Sequence, residues 1–156
     1  MICPRCGGTF RNNKPCDTCG STYEELIKSI RHDEMKKLFV KIGDMIEHHE
    51  DFTVEESLLA VELKNSSLLI PAKIVDGTLG AMTVEDEKNR RFITLYTDID
   101  EYENAKTGIE PLTNPFSEMV HLLDERLEGF VINKDSVACE IPKKFLKKYF
   151  ADDLRT

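Results

Sequence analysis

Four of the five cysteines lie within the first 20 residues, in two pairs that each end in glycine. The pairs read CPRCG from Cys3 and CDTCG from Cys16, and nine residues separate Cys6 from Cys16. A C-x-x-C turn presents two sulfur ligands from one loop, and two such turns supply the four tetrahedral ligands that Zn²⁺ prefers. The spacing therefore predicts one zinc ion bound by Cys3, Cys6, Cys16 and Cys19.

The predicted metal site is structural. Four thiolates close the coordination shell and leave no position for water or substrate. About 20 residues bury too little apolar surface to fold alone, so the metal supplies the folding free energy. Gly7 and Gly20 suit turns with positive φ. The pattern leaves open unliganded or redox-active thiols, and an iron ion bound by the same four sulfurs.

Basic side chains surround the cysteines although the chain as a whole is acidic, with a net charge of −8. Arg5, Arg11 and Lys14 can offset the negative charge of four thiolates on zinc, which is the reading we favour. Contact with a nucleic acid is the alternative for these three residues. The acidic remainder of the chain argues against broad binding to a phosphate backbone.

The two cysteine pairs resemble the short zinc-ribbon family found as an N-terminal attachment on unrelated bacterial and archaeal proteins. Cys3, Cys6, Cys16 and Cys19 fall on the ligand positions of that family. The resemblance implies metal binding over about an eighth of the chain and does not name what the ribbon contacts.

Beyond the cysteines, the pattern of apolar residues predicts helices mixed with a mostly antiparallel sheet, which is an α+β domain. Helical stripes cover Tyr23 to Ile30 and Met35 to Ile46, and Gly43 weakens the second by about 1 kcal/mol relative to Ala. Strands are expected at Leu68–Val75, Leu79–Val84 and Arg91–Thr97 as an antiparallel meander, at Phe130–Asn133 and Val137–Ile141 as a hairpin, and a helix is expected from Pro142.

Three helix starts are predicted from capping residues. Thr53 with Glu56 fits a capping box for a helix that ends near Lys64, and Asp98 with Glu101 repeats that spacing. Asn114 is placed to cap a helix whose first residue is proline.

The order of these elements resembles the SseB N-terminal domain family over about residues 54–150. Pro71, Thr97 with Asp98, and Gly129 with Asn133 are the matching positions. The resemblance implies an α+β domain without established catalytic residues. We therefore expect a zinc ribbon at residues 1–21, a helical connector at 22–52 and an SseB-like domain at 53–156.

Few residues suggest catalysis. Cys139 alternates with apolar strand residues and His121 lies beside apolar residues, so both are interpreted as packing residues. No export signal precedes the first cysteine pair and no run of about 20 apolar residues is present, which predicts a cytoplasmic protein with no membrane partner. The sequence favours a non-catalytic, zinc-binding interaction or regulatory protein that contacts another protein. A nucleic-acid-associated factor and an enzyme are the alternatives, and the oligomeric state is not defined.

Overall fold

A computed structural model describes residues 8, 15–17, 19–20 and 22–154 of the chain. The helices within this part are α1 (Tyr23–Ser29), α2 (Asp33–Glu47), α3 (Thr53–Lys64), α4 (Ile99–Asn104), α5 (Phe116–Met119), α6 (Lys143–Tyr149) and α7 (Ala151–Leu154), with a 3-10 turn at Val120–Leu122. The strands are β1 (Ser67–Val75), β2 (Thr78–Ala81), β3 (Thr83–Glu85), β4 (Arg91–Leu95), β5 (Pro111–Pro115), β6 (Leu127–Ile132) and β7 (Cys139–Pro142).

The strands form two sheets packed against the helices, so the predicted α+β class is confirmed. The first sheet is antiparallel, with the order β2-β1-β5, and the second has the order β3-β4-β6-β7. Within the second sheet, β4 and β6 run parallel, while β3 and β7 pair antiparallel with their neighbours. The predicted β6–β7 hairpin is therefore present, with Phe130 opposite Ile141.

The middle strand of the predicted meander is divided at Met82. Its first part, β2, pairs with β1, and its second part, β3, pairs with β4. The Met82 amide donates to the Pro71 carbonyl at 2.9 Å, and the Met82 carbonyl accepts from the Thr94 amide at 3.2 Å. Met82 thus carries the chain from one sheet to the other, and the meander continues through both.

The main core lies between the helices and the two sheets. Phe116 is fully buried in this core, and its ring centroid lies 5.2 Å from that of Phe130. The segment predicted as a helical connector contributes to the same core, because Met35, Phe39 and Ile42 of α2 are buried there. Burial of side chains of this size is worth roughly 1.5–3 kcal/mol each, which fixes α2 against the sheet.

The start of α3 differs from the predicted capping box. The helix begins at Thr53 itself, and the preceding Phe52 is the N-cap residue without a side-chain cap. The local bonds come instead from Asp51, whose Oδ1 accepts from the Thr53 amide at 3.0 Å and from its hydroxyl at 2.6 Å. The Thr-x-x-Glu spacing located the helix but placed its first residue one position too late.

The two other predicted helix starts have opposite outcomes. Asp98 caps α4 as predicted, since its Oδ1 accepts from the Glu101 amide at 2.9 Å. The prediction for Asn114 is wrong: this residue lies in β5 opposite Leu68, and α5 begins at Phe116. Pairing with the long strand β1 extends the backbone here and moves the start of the helix by one residue, from Pro115 to Phe116.

Candidate functional site

The second cysteine pair is partly within the described residues. The Gly20 amide donates to the Cys16 carbonyl at 3.0 Å, which closes a turn that contains Cys19. Gly20 has φ of +73°, so the positive φ expected from the sequence is confirmed at this position. The remaining predicted ligands, Cys3 and Cys6, lie outside the described residues.

Cys16 lies against the helix that follows the cysteine pair. It is 3% exposed and clusters with Leu26 and Tyr23 of α1, whereas Cys19 is exposed to solvent. The Tyr23 hydroxyl donates to the Pro111 carbonyl at 3.2 Å, and burial raises the pKa of Tyr23 to about 12. The phenol therefore stays neutral and connects this face of α1 to the start of β5.

Helix α1 is itself anchored to the body of the protein. Ile27 and Ile30 pack in a small buried cluster with Leu69, Tyr96 and Tyr102. Leu69 and Tyr96 exchange two backbone hydrogen bonds of 2.9 Å, which connect β1 to the end of β4. Through α1, the turn that holds Cys16 is fixed to both sheets.

The start of α1 is set by a capping box that the sequence analysis missed. Thr22 Oγ1 accepts from the Glu25 amide at 3.1 Å, and Glu25 Oε2 accepts from the Thr22 amide at 3.4 Å. The Thr-x-x-Glu spacing two residues after Gly20 is the signal that could have found it. The helix thus begins directly after the cysteine turn, which places Leu26 against Cys16.

The described part of the predicted metal site is compatible with zinc. Thiolate sulfur is a ligand that zinc favours, and the turn presents Cys16 and Cys19 from a single loop. Within the described ranges, no group of three or more His, Cys, Asp or Glu side chains is arranged to hold a metal ion. Arg5, Arg11 and Lys14, the predicted charge-compensating or nucleic-acid-binding residues, lie outside the described residues.

A buried polar cluster lies at the carboxyl ends of the parallel strands β4 and β6. Asn133 Oδ1 accepts from the Thr97 amide at 3.1 Å, and Asn133 Nδ2 donates to Thr97 Oγ1 at 3.0 Å. The Thr97 hydroxyl donates to Asp98 Oδ2 at 3.0 Å. All three residues are at most 5% exposed, so this cluster joins the two strand ends inside the fold.

Asp98 extends the cluster to helix α2. Lys36 Nζ lies 3.3 Å from Asp98 Oδ2 and 3.0 Å from Glu101 Oε1. Burial alone would raise the pKa of Asp98, but hydrogen bonds from the Glu101 amide, Thr97 and Lys36, with the lysine charge, hold that pKa below its usual range. The aspartate is therefore ionised and fully bonded, which suits a role in positioning α2 and α4.

Two further positions from the family resemblance have local physical reasons. Gly129 has φ of +154°, and a Cβ there would collide with the Ile141 carbonyl oxygen and lie 2.9 Å from Pro142 Cα. Asn133 has φ of +56°, a left-handed conformation that asparagine tolerates better than most residues. Gly129 allows β6 to pair closely with β7, and Asn133 adopts the turn conformation directly after β6 ends.

Cys139 and His121 were interpreted from the sequence as packing residues. Cys139 is half-buried, and burial, with the neighbouring Glu140 charge, raises the pKa of its thiol to about 12. It is therefore a thiol at neutral pH and unsuited to nucleophilic attack. The interpretation of His121 is wrong, because its side chain is exposed on the 3-10 turn while its neighbour Val120 is buried.

A groove of about 680 Å³ separates the edge strand β7 and helix α6 from helices α2 and α3. We call it the β7–α2 groove. Apolar residues that line it include Phe39, Ile42, Leu59, Ile141 and Phe145. All five belong to the buried core, so the groove opens onto the edge of the main core.

Comparisons with protein-family models, with curated proteins and with solved structures each find no match. Among the described helices, none combines the length and the apolar character needed to cross a bilayer. The fold and the site together define an α+β domain that carries a cysteine turn fixed to its first helix.

Proposed function

We propose that this protein is a non-catalytic, zinc-binding interaction protein of the cytoplasm, in which a structural zinc ribbon is attached to an SseB-like α+β domain. The observation that carries the proposal is the arrangement of two CxxCG pairs nine residues apart. Four thiolates around one zinc leave no open coordination position, so the metal organises the chain and does not react.

The attachment of the cysteine turn supports a structural role. Cys16 is buried against Leu26, and α1 is in turn packed on both sheets. A metal bound at this turn would stabilise the ribbon and would also hold it in a fixed position on the domain. Such an arrangement suits a protein whose ribbon and domain present a combined surface to a partner.

The β7–α2 groove favours protein contact as the role of the domain. Apolar grooves beside an open strand edge are surfaces on which proteins bind segments of other proteins. The buried polar cluster at Asp98 is bonded within the fold, so its geometry supports positioning of helices.

Affinity capture from nuclease-treated native extract tests this proposal. We expect protein partners to survive nuclease treatment and to be reduced by Cys3→Ser/Cys6→Ser. Replacing Arg5, Arg11 and Lys14 by Ala should leave that capture unchanged. Capture that disappears with nuclease, weakens steeply with salt and is lost on removing the three basic residues would contradict the proposal and favour a nucleic-acid-associated factor.

A further inference from the structure

Helix α1 is too short to be stable by itself. It has seven residues, Tyr23–Ser29, and isolated helices of fewer than about 12 residues are marginal in water. The ion pair between Glu24 and Lys28 lies within the helix and does not attach it to the domain. The stability of α1 therefore depends on the surfaces against which its apolar side chains pack.

The apolar side chains of α1 contact two different parts of the chain. Leu26 is 1% exposed and packs with Cys16 of the cysteine turn, and Tyr23 lies against the same cluster. Ile27 and Ile30 pack instead on buried residues of the domain. We call these buried residues the α1 seat, which consists of Leu69, Tyr96 and Tyr102.

The two sets of contacts are joined at the start of the helix. The Tyr23 side chain packs against both clusters, and its hydroxyl donates to the Pro111 carbonyl at 3.2 Å. The capping box of Thr22 and Glu25 begins α1 directly after the cysteine turn. Because a short helix forms cooperatively, ordering of the turn at one end favours the contacts that the helix makes with its seat.

The α1 seat is covered when the helix is docked. Leu69 and Tyr96 are completely buried, and Tyr102 is 5% exposed. Release of α1 would bring these side chains into contact with water, which is unfavourable for apolar surface. Docking of the helix is therefore favoured by the domain, and the docked helix holds Cys16 in its buried position against Leu26.

We propose that zinc binding at the cysteine turn and docking of α1 on its seat are coupled, so that each stabilises the other. Loss of zinc releases α1 and exposes the seat. Coupling between two sites is reciprocal, so Ile27, which lies outside the Cys16 cluster, contributes to zinc affinity. This inference deepens the proposed function and rests on its zinc site.

Hydrogen exchange of the wild-type chain, with zinc and after its removal by a chelator, tests one direction of the coupling. We expect the amides of residues 26–30 to exchange at least about fivefold faster without zinc, and the amides of β6 to be unchanged. The chain has no Trp, and three of its four tyrosines lie at this site. The tyrosine signal in near-ultraviolet circular dichroism should therefore fall when zinc is removed.

Ile27→Ala and Leu59→Ala test the other direction as a matched pair. Each removes a buried aliphatic side chain from a helix, but Leu59 belongs to the main core. Zinc affinity is measured by competition with a chromophoric chelator. Ile27→Ala should bind zinc at least about fivefold more weakly than wild type, whereas Leu59→Ala should remain within about twofold.

Three results would overturn the inference: exchange of the α1 amides that does not depend on zinc, unchanged zinc affinity in Ile27→Ala, or an equal loss of affinity in Leu59→Ala. If Ile27→Ala does not fold, the exchange experiment on the wild-type chain still decides. A wild-type chain that binds no zinc would refute both this inference and the proposed function. Zinc binding without coupling would refute this inference alone, and failure to capture a protein partner would leave the coupling intact.

Discussion

The same substitution at two glycines should change stability in opposite directions. At Gly129, a Cβ would collide with the Ile141 carbonyl oxygen and lie 2.9 Å from Pro142 Cα, and φ is +154°. Overpacking against backbone costs about 1–3 kcal/mol, and an unfavourable backbone conformation costs a similar amount. Replacing glycine also lowers the entropy of the unfolded chain, which offsets about 0.4–1 kcal/mol of this cost. We therefore expect Gly129→Ala to lower the free energy of unfolding by about 3 kcal/mol.

Gly43→Ala is the matched control for this experiment. Its Cβ meets no atom within 4 Å, and it replaces a glycine inside α2. Helix propensity then predicts a gain of up to about 1 kcal/mol. Urea denaturation followed by circular dichroism measures both variants, and the midpoints can be compared directly if the slope m is unchanged. The reasoning is refuted if Gly129→Ala unfolds within about 0.5 kcal/mol of wild type, or if Gly43→Ala is the less stable variant.

Three further predictions concern acid sensitivity, thiol reactivity and anchoring of the cysteine turn. The lowered pKa of Asp98 stabilises the fold above the unfolded-state value of about 4, and this contribution is lost as pH falls through the lower folded-state pKa. Asp98→Asn should therefore be about 1–3 kcal/mol less stable near neutral pH and should lose less stability on acidification, as measured by urea denaturation across pH. Burial raises the pKa of Cys139 to about 12, so its thiol should react with iodoacetamide at least about 100-fold more slowly than an exposed cysteine near pH 8. Peptide mass spectrometry measures this rate, and a rate close to that of the unfolded chain would contradict the prediction. Leu26→Ala should speed transfer of zinc to a chelator because Leu26 packs on Cys16, whereas Leu58→Ala, at a half-exposed position of α3, should leave the transfer rate unchanged.

Local patterns in the sequence were sufficient for most helices and for the antiparallel pairs between strands that are adjacent along the chain. The cap at Asp98 depends on residues three positions apart, and the β6–β7 hairpin depends on neighbours along the chain. These interactions join residues that are close in the sequence, so residue types and their spacing are enough to predict them.

Features that depend on distant residues could not be predicted in the same way. β5 has proline at both ends and was not recognised as a strand, and its extended form follows from pairing with β1. The parallel pairing of β4 with β6 and the bond from Asn133 to Thr97, 36 residues apart, need the folded topology.

The same distinction between local and long-range features applies to the candidate functional site. The cysteine pairs are visible in the sequence because ligand spacing is local, whereas the β7–α2 groove joins elements from opposite ends of the chain. Gly43 was noticed in the sequence as a weak point in a helix, whereas its position on the groove wall follows only from the folded arrangement.

Elemental analysis of the purified protein tests the central claim most directly, with Cys16→Ser and Cys139→Ser as a matched pair of single thiol replacements. A four-thiolate structural site predicts about one zinc per chain in wild type and in Cys139→Ser, and a marked loss in Cys16→Ser. Fewer than about 0.5 zinc per chain in wild type, or equal zinc in the two variants, would contradict the account.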